Sequence, residues 1–154
     1  MKVSDFAIKT GCIGSKNTSL KDIFRSWIKE KTNIFIITDD TGKKLLGVIT
    51  LYDVLKEIVP FYLKLDEILV NLLESSFLNP DDVKKTLEKN AEEIMTREVK
   101  TVQDSDPLIK AVVIMYNQNF DYLPVVDEKG EFKGRIVTRN SIEEALLKFS
   151  LDQK

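Results

Sequence analysis

The sequence predicts an α/β (α+β) chain of two pseudo-symmetric repeats, each running strand, helix, strand, strand, helix, packed together with an inserted helical hairpin between them. Three observations lead there. The chain matches itself without gaps at an offset of 88 residues, bringing roughly 3–59 onto 91–147 and setting Leu20 on Leu108, Asp39 on Asp127, Gly42 on Gly130 and Thr50 on Thr138. Both copies pass from helical to strand periodicity in the same order, and a glycine-bearing turn falls at the same place in each. The expected units are a first repeat over 1–59, an inserted helical linker over 60–90 and a second repeat over 91–154.

In the first copy Leu20, Ile23, Phe24, Trp27 and Ile28 fall at i, i+3, i+4, i+7 and i+8, one apolar stripe on a helix opened by Thr18 or Ser19. The second copy repeats the spacing in Leu108, Ala111, Val112, Met115 and Tyr116, with Asp106 as N-cap and Pro107 at the first helical position. Both stripes are expected to pack inward, and Trp27 is read as core. Short runs of β-branched and aromatic residues follow, Ile34 to Thr38 and Tyr122 to Val126, each too short for a helix. The turns Asp39-Asp40-Thr41-Gly42 and Asp127-Glu128-Lys129-Gly130 put Gly where a hairpin needs positive φ. They lead into the third strands, Leu45 to Thr50 and Phe132 to Thr138, and then into helical period from Asp53 and from Ser141. Between the copies, Phe61, Leu65, Leu69, Leu72 and Leu73 form one apolar helical face after Pro60. Asn79-Pro80-Asp81-Asp82 then supplies a cap, a first-turn Pro and two acids that suit the helix dipole, opening a second helix with Val83 and Leu87 inward.

Composition narrows the chemistry. Of 154 residues 43% are hydrophobic and 31% charged, the balance of a soluble globular protein, and halves of about 70 residues are marginal alone and call for a shared core. The formal charge of −2 gives no broad basic field for nucleic acid or anionic lipid. His is absent, which removes the commonest neutral-pH acid/base and the commonest metal ligand, and the single cysteine, Cys12, excludes an internal disulfide, a CxxC pair and a thiolate zinc site. No metal site and no catalytic constellation is expected, so an enzyme is not. The opening MKVSDFAIKTGCIG has no apolar h-region and no apolar stretch reaches membrane-spanning length, so a cytoplasmic protein without membrane association is expected.

Glu93-Ile94-Met95-Thr96, Val99-Lys100-Thr101-Val102 and Leu123-Pro124-Val125-Val126-Asp127 in the second copy, with Gly47-Val48-Ile49-Thr50-Leu51-Tyr52-Asp53-Val54-Leu55 in the first, resemble the motifs of the cystathionine-beta-synthase-type (CBS) domain. These domains occur in tandem pairs, the Bateman module, and often bind adenosyl nucleotides. The chemistry of the first copy's ending stands without the family: a strand-to-helix turn exposes N–H groups and partial positive charge to a phosphate, to which the Thr50 hydroxyl can donate. The two oxygens of Asp53 can accept from both hydroxyls of a ribose. Helix capping is the alternative role for Asp53. Ser141, its counterpart, caps equally well but cannot hold a diol in that way.

The resemblance implies a regulatory sensor for AMP, ADP, ATP or S-adenosylmethionine, held in a cleft between repeats without a covalent cofactor. It implies Val48 and Ile136 against the adenine, with Thr138 standing where Thr50 does. It also implies that Arg139, next after Thr138, reaches phosphates in the Asp53 cleft. Arg135 and Lys44 are weaker candidates. A homodimer through the helices and a regulated protein partner follow from the same likeness. The contrasting expectation is a ligand-free structural or interaction scaffold, favoured by Ser141 and by Gly11-Cys12-Ile13-Gly14, which fits the family's first strand poorly.

Overall fold

The alternation of stripes and β-branched runs becomes two sheets backed by helices in the computed structural model, which describes residues 1–59, 64, 66–67 and 79–151. The elements of the first repeat are α1 (Val3–Phe6), β1 (Ile8–Lys9), β2 (Ile13–Gly14), α2 (Leu20–Glu30), β3 (Ile34–Thr38), β4 (Leu45–Thr50) and α3 (Leu51–Ile58). After α4 (Pro80–Glu88) the second repeat contributes α5 (Ala91–Ile94), β5 (Val102–Gln103), α6 (Leu108–Gln118), β6 (Tyr122–Val126), β7 (Phe132–Thr138) and α7 (Arg139–Leu151). One sheet has the order β2-β3-β4 and the other β1-β7-β6-β5. In each, a short parallel strand flanks an antiparallel hairpin. The chain is therefore mixed α/β, as its periodicities predict.

The opening segments cross over. Strand β1 pairs antiparallel with β7 of the other repeat, Ile8 opposite Ile136, and α1 inserts Val3 and Phe6 into the second repeat's core beside Leu123, Val125 and Val137. Arg135 secures this segment by donating to the Ser4 carbonyl at 2.7 Å. In the reverse direction Ala91 and Met95 join the first repeat's core with Leu20, Trp27, Phe35 and Ile49, and Thr96 forms a bridge with Val48 beside β4. Each half thus buries a face that it could not cover with its own residues.

Strand β3 is buried along its length because its two faces serve two cores. Phe35 and Ile37 point into the first repeat, while Ile34 and Ile36 meet Phe132 and Ile136 in a third core between the repeats. The hairpin turns carry the expected positive φ, +74° at Gly42 and +78° at Gly130. Asp39 and Asp127 fold back on these turns to accept backbone N–H groups, Asp39 from Thr41 and Lys44, Asp127 from Lys129 and Glu131.

Local expectations fail where tertiary contacts decide. Pro107 is extended (ψ 139°) and is the N-cap residue of α6 rather than its first helical residue; Asp106 accepts from the Gln103 N–H and from Lys110 Nζ instead of capping. The last residues of the two stripes do not pack: Ile28 is 78% and Tyr116 85% exposed, as the core ends one residue earlier, at Trp27 and Met115. Helices α3 and α7 start at Leu51 and Arg139, ahead of Asp53 and Ser141. Within Gly11-Cys12-Ile13-Gly14, Ile13 and Gly14 form β2, the first repeat's parallel strand beside β3, and glycine is needed there, since a Cβ on Gly14 would lie 2.8 Å from the Phe35 ring. Of the predicted helical hairpin, the second arm is α4, with Asn79 Oδ1 accepting from the Asp81 N–H and Leu87 against the core. Pro60, Phe61, Leu65, Leu69, Leu72 and Leu73 lie outside the described residues.

Candidate functional site: two unlike clefts between the repeats

Strand β4 ends at Thr50, whose extended backbone (φ −117°, ψ 167°) turns the chain into α3. Thr50 is the N-cap and Asp53 is the third helical residue, so the alternative capping role of Asp53 is present, exercised from the third helical position and not as the N-cap. The carboxylate folds back, and its Oδ2 accepts from Thr50 N at 2.8 Å and Thr50 Oγ1 at 3.1 Å, the reciprocal half of a capping box. Oδ1 faces the other repeat. It accepts from Thr96 Oγ1 at 3.1 Å, with Lys56 Nζ 4.0 Å away. The Asp53 side chain is 11% exposed and lies on the wall of a cavity between the repeats.

The matching turn of the second repeat is closed. Ser141, 1% exposed, accepts through Oγ from Thr138 N at 3.2 Å, donates through its N–H to Thr138 Oγ1 at 3.1 Å, and shares a hydroxyl–hydroxyl bond of 3.1 Å with Thr138. Both groups are satisfied internally. Substituting Ser for Asp shortens the side chain, and the hydroxyl never leaves the helix end.

Two cavities flank the core between the repeats. One of about 350 Å³ is lined by Val48, Thr50 and Asp53 of the first repeat and by Thr96, Lys100 and Tyr122 of the second, with Tyr52, Lys56 and Phe120 also on its wall. The other, about 410 Å³, is lined by Ile136, Thr138 and Arg139, by Lys9 and Thr10 of the crossing segment, and by Lys31. The predicted residues are thereby divided: Val48, Thr50 and Asp53 share one cleft, whereas Ile136, Thr138 and Arg139 line the other. Arg139 does not enter the Asp53 cleft, contrary to expectation. Its Nε is paired with Asp121 Oδ1 at 3.0 Å and its side chain is 71% exposed. Asp121 borders both cavities. The cations of the Asp53 cleft are Lys56 and Lys100, which sequence reasoning missed; Lys56 follows Asp53 by one helical turn, and that spacing was the available signal. Lys44, on the exposed hairpin turn, and Arg135, on β7 and bonded to α1, line neither cavity. Among the described residues no group of His, Cys, Asp and Glu could hold a metal ion, and no helix is long and apolar enough to cross a membrane.

Two crossed strand–helix repeats with clefts between them define a tandem-repeat α/β fold, and the chain belongs to the CBS domain family, whose profile it matches over residues 15–60 and 91–148. It is 30% identical over 142 residues to an uncharacterised protein of Methanocaldococcus jannaschii, covering 86% of this chain and 83% of the relative. Two further relatives from that organism are longer, and the chain spans only 46% and 22% of their lengths. Among solved structures, CBSX2 in complex with AMP is similar with a TM-score of 0.69 and 27% identity, covering 97% of this chain and 98% of the other. The CBS domain pair of protein MJ0100, in complex with 5′-methylthioadenosine and S-adenosyl-L-methionine, has a TM-score of 0.67 and 27% identity, covering 95% and 99%.

Proposed function

We propose that the protein is a non-catalytic sensor that binds one adenosine-containing ligand per chain, of the AMP, ADP, ATP or S-adenosylmethionine class, in the Asp53 cleft. The observation that carries this is Asp53 itself: an ordered carboxylate at a helix N-terminus with Oδ1 directed into a cleft walled by apolar Val48 and Tyr122. A ribose diol brings two hydroxyl donors to this carboxylate, each hydrogen bond charge-assisted. Val48 and Tyr122 suit the base, while the Thr50 turn, Lys56 and Lys100 suit a phosphate or another charged substituent. The AMP and S-adenosylmethionine complexes of the similar structures support the ligand class. The second cleft has no equivalent carboxylate, because Ser141 is enclosed.

A homodimer belongs to the same proposal. Helix α6 exposes Ile109, Val113 and Tyr116 at i, i+4 and i+7, where the aligned α2 carries Lys21, Arg25 and Ile28. The second repeat is therefore the stickier face. A cytoplasmic setting agrees with the unpaired, buried Cys12. A regulated partner protein would read the ligand's occupancy.

Calorimetric titration of wild type and Asp53→Asn with AMP, ATP and S-adenosylmethionine tests the reading. Asn keeps one acceptor for the Thr50 turn and replaces the other oxygen with a donor. One site per chain, lost in the variant, is the expected result; no heat from any of the three leaves the ligand-free scaffold as the function.

A further inference from the structure

The oxygen of Asp53 that faces the cleft already has a partner, and that partner comes from the other repeat. Thr96 Oγ1 donates to Asp53 Oδ1 at 3.1 Å across 43 residues of sequence. Its backbone is fixed against β4: Val48 N donates to Thr96 O at 3.0 Å and Thr96 N to Val48 O at 2.9 Å. The close approach depends on Gly47, where a Cβ would lie 2.8 Å from Met95 Sδ and 2.9 Å from Thr96 O.

The second repeat provides the internal comparison. The crossing strand occupies the same register there, with Ile8 opposite Ile136 as Thr96 is opposite Val48. At the two aligned positions the polar pair is gone: Ile8 stands for Thr96 and the enclosed Ser141 for Asp53. The hydroxyl donor accompanies the carboxylate in one cleft, and neither stands at the aligned position of the other.

The geometry points to Thr96 as an affinity-setting residue that competes with the ribose for Asp53 Oδ1, so that ligand binding breaks the Thr96–Asp53 contact between repeats. This inference rests on the proposed binding of an adenosine ligand at Asp53. Oδ2 already accepts twice from Thr50 and Oδ1 has room for about two donors, so a diol that gives both hydroxyls to Oδ1 displaces Thr96, which lowers the apparent affinity and selects ligands that bring two hydroxyls. Occupancy then releases the side-chain tie on the segment Ala91 to Thr96, whose Ala91 and Met95 sit in the first repeat's core. A ligand acts only through its differential affinity for two arrangements, and the Thr96–Asp53 contact distinguishes them.

Thr96→Val keeps the shape and loses the donor, while Thr96→Ser keeps the donor. In titrations with AMP, Thr96→Val binds about three- to tenfold tighter than wild type, and Thr96→Ser restores wild-type affinity within about twofold. Unchanged or weaker binding by Thr96→Val overturns the inference and makes Thr96 a direct ligand contact or a bystander. A second readout needs no ligand. The Val48 and Thr96 amides exchange with deuterium at least about threefold faster in Thr96→Val than in Thr96→Ser, because the side-chain tie that holds the bridge is lost. Equal exchange overturns the latch whether or not AMP binds. Faster exchange with no AMP heat from any of the three proteins rejects the nucleotide reading and leaves the latch intact.

Discussion

Replacing Gly47 with alanine adds one methyl group where the structure has no room for it. The new Cβ meets Met95 Sδ at 2.8 Å and Thr96 O at 2.9 Å. The sulfur belongs to a flexible side chain and can retreat, but the carbonyl is backbone and its shift strains both hydrogen bonds of the Val48–Thr96 bridge. Overpacking of this kind costs about 1–3 kcal/mol. Alanine also reduces the freedom of the unfolded chain, which offsets about 0.4–1 kcal/mol of that. The middle of the two ranges leaves a net loss of about 1.3 kcal/mol, and a domain of this size loses about 2–4 °C in Tm for each kcal/mol. Scanning calorimetry should show Gly47→Ala melting about 3–5 °C below wild type. A Tm equal to or above wild type refutes the reasoning, because the entropy gain alone would then be operating and the crossing segment would not be held as described.

Ile36→Ala, at a fully buried position in the core between the repeats, costs about 2–5 kcal/mol and is read by denaturant unfolding; a loss below 1 kcal/mol contradicts the shared core. Ser141→Ala leaves the Thr138 N–H and hydroxyl without their partner and costs about 1–3 kcal/mol, with AMP binding at the Asp53 cleft unchanged, whereas a change in AMP affinity places the ligand elsewhere. The carboxyls of Asp39 and Asp127 are held below the usual carboxylate range, Asp39 chiefly by the Thr41 hydroxyl and Asp127 chiefly by the Glu131 N–H. Folding lowers their pKa, so the unfolded chain binds more protons in acid. Their contribution is complete above about pH 4 and is lost as the pH falls through the depressed folded values. Thermal melts should hold steady from pH 7 to pH 5 and decline below pH 4, less steeply in an Asp39→Asn, Asp127→Asn double variant; equal decline in both proteins removes these turns from the acid limb.

The strands were legible because their signals are local. Leu45–Thr50 and Phe132–Thr138 are bounded by a glycine turn on one side and a change of period on the other, and the structure has them over the same residues. The crossing of α1 and β1 was not legible. Nothing in Val3, Phe6 or Ile8 says which repeat they join, since that choice is settled by the vacancy beside β7 and by Arg135 reaching Ser4. The same holds for the ends of the helical stripes: periodicity assigns Ile28 and Tyr116 to the apolar face, but the depth of the core decides whether a face is covered. At the site, the Thr50–Asp53 turn was readable from residue types and spacing. Arg139 was misplaced because its direction is set by Asp121, a neighbour in space rather than in sequence. Thr96 escaped notice because a threonine reveals its partner only when a strand from the other repeat brings Asp53 within 3.1 Å.

The central claim is that a carboxylate in one cleft recognises a ribose through both hydroxyls. Titrating the wild-type protein with AMP and with 2′-deoxy-AMP tests it most directly, since the two ligands differ by a single hydroxyl and share base and phosphate. The account predicts that the deoxy compound binds at least about tenfold more weakly, the loss expected for one charge-assisted hydrogen bond. Equal affinity for the two contradicts it.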